Sequence, residues 1–359
     1  MAGTVMPSPI RVEENETENI ARIKEIKAER GDSLIILAHH YQRLGVHQCG
    51  DVVGDSYHLC KAAAHTEKAR DIVFCGVRFM VTSAAVLCRD DQVVYHPDRN
   101  AGCPMADMAN LPQVRTSWKE LGEVTETAKV IPVVYMNSDL DLKAFCGEHG
   151  GIVCTSSNAA KVFDWVFERG EKIFFFPDEH LGRNTANKYG FKGEDIVLWD
   201  PKQPFGGLTE AQIQRAKVIL WKGYCHVHTR FTPEMIAKAR TEHEGIKVIV
   251  HPECTEDTVA AADFSGSTGF IQDYVRKMQP GDKLAIGTEV NMIHRLSVEN
   301  PDKLIIPLVR SLCPNMFKIS TGDLRECLEN LDTWEPVKAD PAEKQFAKLA
   351  LDNMLACAG

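Results

Sequence analysis

The stretch "LIILAHHY" (34–41) decides the fold, because its pattern returns twice more in the chain. "VIPVVYMN" (130–137) and "VIVHPE" (248–253) are likewise short runs of Val, Ile or Leu that end in an aromatic or imidazole residue, with a polar residue two positions on. The pairs are His39 and Tyr41, Tyr135 and Asn137, and His251 and Glu253. A spacing of two puts both members of a pair on one face of an extended chain. About twenty residues after the first two runs, and slightly sooner after the third, comes a second shared element: "VVGDSYHL" (52–59), "IVCTSSNA" (152–159) and "ADFSGSTGF" (262–270). Each brings a hydroxyl residue, Ser56, Ser156 or Thr268, to the start of a helical pattern, where capping preference and free N–H groups favour an anion.

A third element follows in each copy, "DIVFCGV", "KIFFFPD" and "KLAIGTE", and a fourth, "QVVYHPD", "DIVLWDP" and "KLIIPLV", all read as buried strands. After each fourth strand comes a loop with one cysteine: "AGCPMA" (Cys103), "GYCHVH" (Cys225) and "LCPNM" (Cys313). Four elements in one order, three times, predict an α/β fold of three pseudo-threefold-related αβα units, each a parallel sheet covered by helices. In such units the polar residues just beyond the carboxyl ends of the strands face the ligand crevice. Three copies around a common axis would bring one thiol each to a central site. The expected repeats are 1–106, closed by the C-terminal segment 316–359, then 107–228 and 229–315. The first helix is expected over about 16–30, with Ile20, Ile23 and Ile26 on one face and Gly31 as its stop.

Composition narrows the function classes. The 359 residues, 44% hydrophobic and 25% charged, suit a soluble protein of two or three domains. A formal net charge of −9 and the lack of a dense Lys/Arg cluster argue against nucleic acid as a partner. No stretch has the apolar length of a membrane span, and the first twenty residues have no signal-peptide core. Twelve cysteines without a secretory signal read as reduced thiols of a cytoplasmic protein, most of them packed as small hydrophobes. No P-loop or G-x-G-x-x-G follows any strand, which disfavours a nucleotide-binding enzyme.

Three thiolates are too few for a closed structural zinc site, and no C-x-x-C pair supplies one. "GYCHVH" alone could offer Cys225 with His226 or His228 to a single zinc or iron, as in a hydrolase. Three cysteines on one iron–sulfur cubane leave a fourth iron open as a Lewis acid, whereas an electron carrier closes its cluster with four protein ligands.

"AHHYQ", "GDS", "GVRFM", "GCPMA", "VYMNS", "CTSSNA", "PDEHLG", "WKGYCHVH", "HPEC", "GSTGFI", "GTE" and "CPNM", in this order over about residues 30–330, resemble the motifs of the quinolinate synthase family. The resemblance implies three α/β domains around a 4Fe–4S cluster held by Cys103, Cys225 and Cys313, with one iron open. It also implies condensation of iminoaspartate with dihydroxyacetone phosphate to quinolinate, with loss of phosphate and water, in de novo NAD synthesis. The substrate-binding residues it implies are His39, Ser56, Tyr135, Met136, Asn137, Ser156, His251, Pro252, Glu253 and Thr268. Carbon–carbon bond formation and dehydration need proton transfer, for which Glu253 and Tyr41 are the candidates, with the acid and base roles open between them. A transient aspartate-oxidising partner is the one macromolecular partner suggested. One segment departs from the family pattern: "SDLDLKAFCGEHGGIV" (138–153) is longer than expected and leaves the alignment of Ser156 against Ser157 open.

Overall fold

The computed structural model of the chain describes residues 13–358, so the part of the signal-peptide reading that rests on residues 1–12 lies outside it. Strands β1 (Leu34–His39), β2 (Val52–Gly54), β3 (Asp71–Cys75) and β4 (Val93–Tyr95) form a parallel sheet in the order β2-β1-β3-β4. The second sheet holds β5 (Val130–Tyr135), β6 (Ile152–Cys154), β7 (Lys172–Phe176), β8 (Ile196–Trp199) and β9 (Val218–Trp221) in the order β6-β5-β7-β9-β8, again all parallel. The third repeats the first: β10 (Lys247–Val250), β11 (Phe264–Ser265), β12 (Lys283–Gly287) and β13 (Leu304–Pro307) lie in the order β11-β10-β12-β13. Helices join the strands and cover the sheets, so the central strands are buried on both faces. That is why they read as unbroken apolar runs rather than alternating ones. In β7, Phe174, Phe175 and Phe176 are all fully buried, each contributing roughly 1.5–3 kcal/mol of transfer free energy.

The fourth strand of the second repeat needs correction. The sequence pattern assigns that place to Ile196–Trp199, but the structure gives it to β9, which pairs with β7, and leaves β8 as an extra strand at the sheet edge. Both runs are four residues long and apolar, so hydrophobicity does not rank them. With β9 in place, each cysteine loop leaves its fourth strand directly: Cys103 follows Tyr95 by eight residues, Cys225 follows Trp221 by four, and Cys313 follows Pro307 by six.

The first helix runs Glu16–Arg30, buries Ile23 and Ile26, and stops at Gly31 with φ +54°, where only glycine is unstrained. It packs against the helix Thr321–Glu329, and Val337 N–H donates to Val94 O. The last helix is Pro341–Ala358. It touches the helix Arg78–Leu87 but packs chiefly on the helix Leu140–Glu148 of the second repeat, and Asn353 donates to Gly151 O at 2.9 Å. The departing segment 138–153 is thereby explained. It is the crossover helix between β5 and β6, buried nearly all round, Lys143 included, because a second helix covers it. The two helices approach so closely at Gly147 that a methyl group there would overlap the Phe346 carbonyl. Gly147→Ala is therefore expected to destabilise the fold by about 1–3 kcal/mol, read as a lowered midpoint of thermal unfolding.

Candidate active site

The strand ends at which the three repeats carry their polar pairs open onto one cavity. His39 and Tyr41 come from the end of β1, Tyr135 and Asn137 from β5, and His251 and Glu253 from β10. Ser56, Ser156 and Thr268 reach it from the helix starts, and Cys103, Cys225 and Cys313 from the loops after β4, β9 and β13. Two residues of the expected set do not line it. Met136 lies between Tyr135 and Asn137 on a chain of period two and turns to the opposite side, where it is fully buried and its sulfur accepts from Ser83. Pro252 lies between His251 and Glu253 in the same way, and its carbonyl accepts from Asn184.

The two strand-end histidines share one geometry. Tyr41 N–H donates to Nδ1 of His39 at 3.2 Å, and Glu253 N–H donates to Nδ1 of His251 at 3.4 Å. Each ring thus uses Nδ1 as an acceptor, which assigns its proton to Nε2. Burial holds both imidazoles neutral, His39 down to about 4 and His251 to about 3. They are neutral N–H donors rather than cations.

Glu253 is the hub of a buried network. Tyr135 donates its hydroxyl to Oε1, and His228 Nδ1 lies 2.8 Å from Oε2. On its far side His228 Nε2 is 3.1 Å from Thr288 Oγ1 and 3.3 Å from the Tyr41 hydroxyl, which is itself 2.7 Å from Thr288 Oγ1. His228 also stacks on His251, with centroids 4.2 Å apart. Burial acts to raise the carboxyl pKa of Glu253, but His228 and His251 beside it and hydrogen bonds from His228 and Tyr135 outweigh that, and the net shift is downward. Burial, with the Glu253 charge added, pushes the Tyr41 phenol well above its ordinary range. At neutral pH the pair is thus a carboxylate and a protonated phenol, linked through His228. His228 reads in the sequence only as a neighbour of Cys225. A signal was present: three residues on in a helical turn returns to the same side.

At the helix starts, the capping role falls elsewhere than the sequence suggests. Asp55 caps the helix Ser56–His65 by accepting from His58 N–H, and Ser267 caps Thr268–Lys277 by accepting from Phe270 N–H. Ser56 and Thr268 are each the next residue. Before the helix Ala159–Phe167, the Ser157 hydroxyl donates to Asp55, whereas Ser156 makes no side-chain hydrogen bond to the described residues. The same is true of Ser56, Asn137 and Thr268. Four polar side chains that face the cavity without a protein partner are available to a ligand. No Lys or Arg lines the cavity among the described residues, so anion recognition rests on hydroxyls, amides and imidazole N–H groups.

The cysteine loops are equivalent. After each cysteine the chain makes a helical turn back to its carbonyl: Asp107 N–H to Cys103, His228 and Thr229 N–H to Cys225, and Phe317 N–H to Cys313. The sulfurs sit at the heads of these turns, beside the backbone N–H groups that follow: Met105 and Ala106 after Cys103, Val227 after Cys225, and Asn315 and Met316 after Cys313. Burial and the neighbouring acidic groups still push the thiols up, Cys103 to about 12, Cys313 to about 11 and Cys225 well above its usual value. Three thiols from three repeats, each at the head of a turn that closes on its own carbonyl and none with a Lys or Arg side chain beside it at the cavity wall, fit a group that brings its own positive charge.

A second grouping, Cys225, His228 and Glu253, holds its potential ligand atoms within 4.8 Å of one another. Both ring nitrogens of His228 and both carboxylate oxygens of Glu253 are already engaged in the network, so a metal there would have to displace it.

Fold and cavity together define a three-repeat α/β protein with a single site to which every repeat contributes strand-end polar residues and one thiol. The family model described as quinolinate synthetase A protein matches residues 21–356. The chain is 45% identical to the quinolinate synthase of Rhodopirellula baltica over 97% of this chain and 93% of that one. It is 46% identical to that of Corynebacterium glutamicum (93% and 86%) and 47% identical to that of Acidobacterium capsulatum (94% and 92%). The chain belongs to the quinolinate synthase family of enzymes. No helix among the described residues is long and apolar enough to cross a membrane.

Proposed function

We propose that this protein condenses iminoaspartate with dihydroxyacetone phosphate to form quinolinate, with loss of phosphate and water, as a step of de novo NAD biosynthesis in the cytoplasm. The observation that carries the reading is the convergence of one thiol from each repeat on a cavity whose Ser56, Asn137, Ser156 and Thr268 side chains have no hydrogen-bond partner among the described residues. Cys103, Cys225 and Cys313 would hold a 4Fe–4S cluster. Bound there, it supplies an open iron that acts as a Lewis acid toward substrate oxygen or nitrogen.

The chain's own residues do the rest. Ser56 and Thr268, at the first position of their helices, present a hydroxyl beside free backbone N–H groups to carboxylate or phosphate oxygens. Ser156 is the partner of choice in the second repeat because Ser157 is committed to Asp55. The Nε2–H groups of His39 and His251 donate to carboxylates and, being neutral, carry no charge that would hold the product. Glu253, ionised, takes the proton removed as the carbon–carbon bond forms and in ring dehydration. Tyr41, protonated, donates toward leaving oxygen, and His228 with Thr288 returns the proton between them. The imine arrives from solution or from a transiently docked aspartate-oxidising partner.

A second reading, a mononuclear metal enzyme, draws on the Cys225–His228–Glu253 grouping. Anaerobic reconstitution with iron and sulfide separates the two. About four irons and four sulfides per chain with a broad visible band support the cubane. One metal without sulfide supports the alternative.

A further inference from the structure

Glu253 is gripped by the second repeat twice, once at its carboxylate and once at its backbone. The carboxylate grip is Tyr135. The backbone grip is Asn184, a buried residue in the middle of the helix Glu179–Tyr189. Its side-chain amide donates to Pro252 O at 2.9 Å and to Cys254 O at 2.8 Å, the last carbonyl before Glu253 and the first beyond its own. Both partners are acceptors, so the amide orientation is fixed, and the two donors of one NH2 group are both used. The helix that carries Asn184 is itself firmly seated. Buried Asp178 caps it by accepting from Leu181 N–H at 2.6 Å, and at Gly182 it lies so close to Leu220 and Phe175 that a Cβ would overlap the Leu220 side chain. Asparagine suits this place on chemical grounds: aspartate lacks the donors, alanine lacks the reach, and the serine hydroxyl has one hydrogen to give.

We propose that Asn184 is a positioning residue that sets the reach of the Glu253 carboxylate into the cavity by clamping the peptide groups around it to the second repeat. The inference rests on the reading of Glu253 as the proton acceptor. A clamp of this kind acts on orientation rather than on substrate affinity, and a misplacement of about 1 Å at a reacting group costs on the order of 100-fold.

The test compares Asn184→Ala and the isosteric Asn184→Asp with Asn187→Ala in the reconstituted enzyme. Asn187 is the control because it crosses between the same repeats from the same helix, at an exposed hydrogen bond of 2.7 Å to Glu256. Asn184 borders two cavities between the repeats, so water can reach the freed carbonyls in the alanine variant and the chain can still fold. Both Asn184 variants are expected to lose on the order of 10–100-fold in kcat with little change in KM, while Asn187→Ala matches the wild type. Hydrogen exchange at the Glu253 and Cys254 amides, which donate to His251 Nδ1 and His251 O, should quicken in both Asn184 variants and not in Asn187→Ala.

Unchanged kcat and unchanged exchange in both Asn184 variants would overturn the proposal. So would unfolding of both, which would make Asn184 a clamp for the fold as a whole. If the wild type forms no quinolinate, the reading of the reaction fails, yet the exchange experiment still reports whether Asn184 holds the loop.

Discussion

Replacing Glu253 with glutamine is expected to lower kcat by about 10²–10⁴-fold while iron and sulfide content stay at the wild-type level. The size follows from what is lost. Glutamine keeps the shape, and its one carbonyl oxygen can accept from His228 while its amide donates to the Tyr135 oxygen, so the network can survive with one bond reversed. It has no basic oxygen that can hold a proton through the reaction. The side chain is fully enclosed among Tyr135, His228 and His251, so bulk water is poorly placed to substitute. A variant that keeps its turnover would remove Glu253 from the mechanism and leave it the role of orienting His228. Loss of iron together with turnover would instead make it part of the metal site.

The second large effect concerns the thiols. Cys103→Ser, Cys225→Ser and Cys313→Ser should each bring bound iron from about four per chain to near zero and abolish quinolinate formation, because a cubane held by three ligands has none to spare. The three loops carry the same turn back to the cysteine carbonyl, so the three variants should fail alike. Unequal behaviour is informative. If only Cys225→Ser loses metal, the Cys225–His228–Glu253 grouping is the metal site and the other two thiols are wall residues.

Much of this was legible in the chain. The pairs His39/Tyr41, Tyr135/Asn137 and His251/Glu253 can be found because a period of two at the end of an apolar run has one structural meaning, and all six do line the cavity. The same period excludes Met136 and Pro252, the residues between. The cysteines are legible only jointly, since each alone resembles a packed thiol. What stayed hidden depends on contacts across repeats. The order of β8 and β9 is set by the route of the chain, not by their equally apolar sequences. Asp55 and Thr288 lie inside the motifs "GDS" and "GTE" without being singled out there, Asn184 lies in no motif, and all three matter because the fold sets them against Ser157, Tyr41 and the Glu253 loop. The protonation states on which the proposed acid and base roles of Tyr41 and Glu253 rest follow from burial and from the donors around the carboxylate, neither of which the sequence states.

The most direct test of the central claim is product formation. The anaerobically reconstituted protein, given iminoaspartate and dihydroxyacetone phosphate, should release quinolinate and inorganic phosphate in equal amounts, both detected by mass balance in the same sample. Phosphate release without quinolinate, or neither product from a protein that carries its full complement of iron and sulfide, would contradict it.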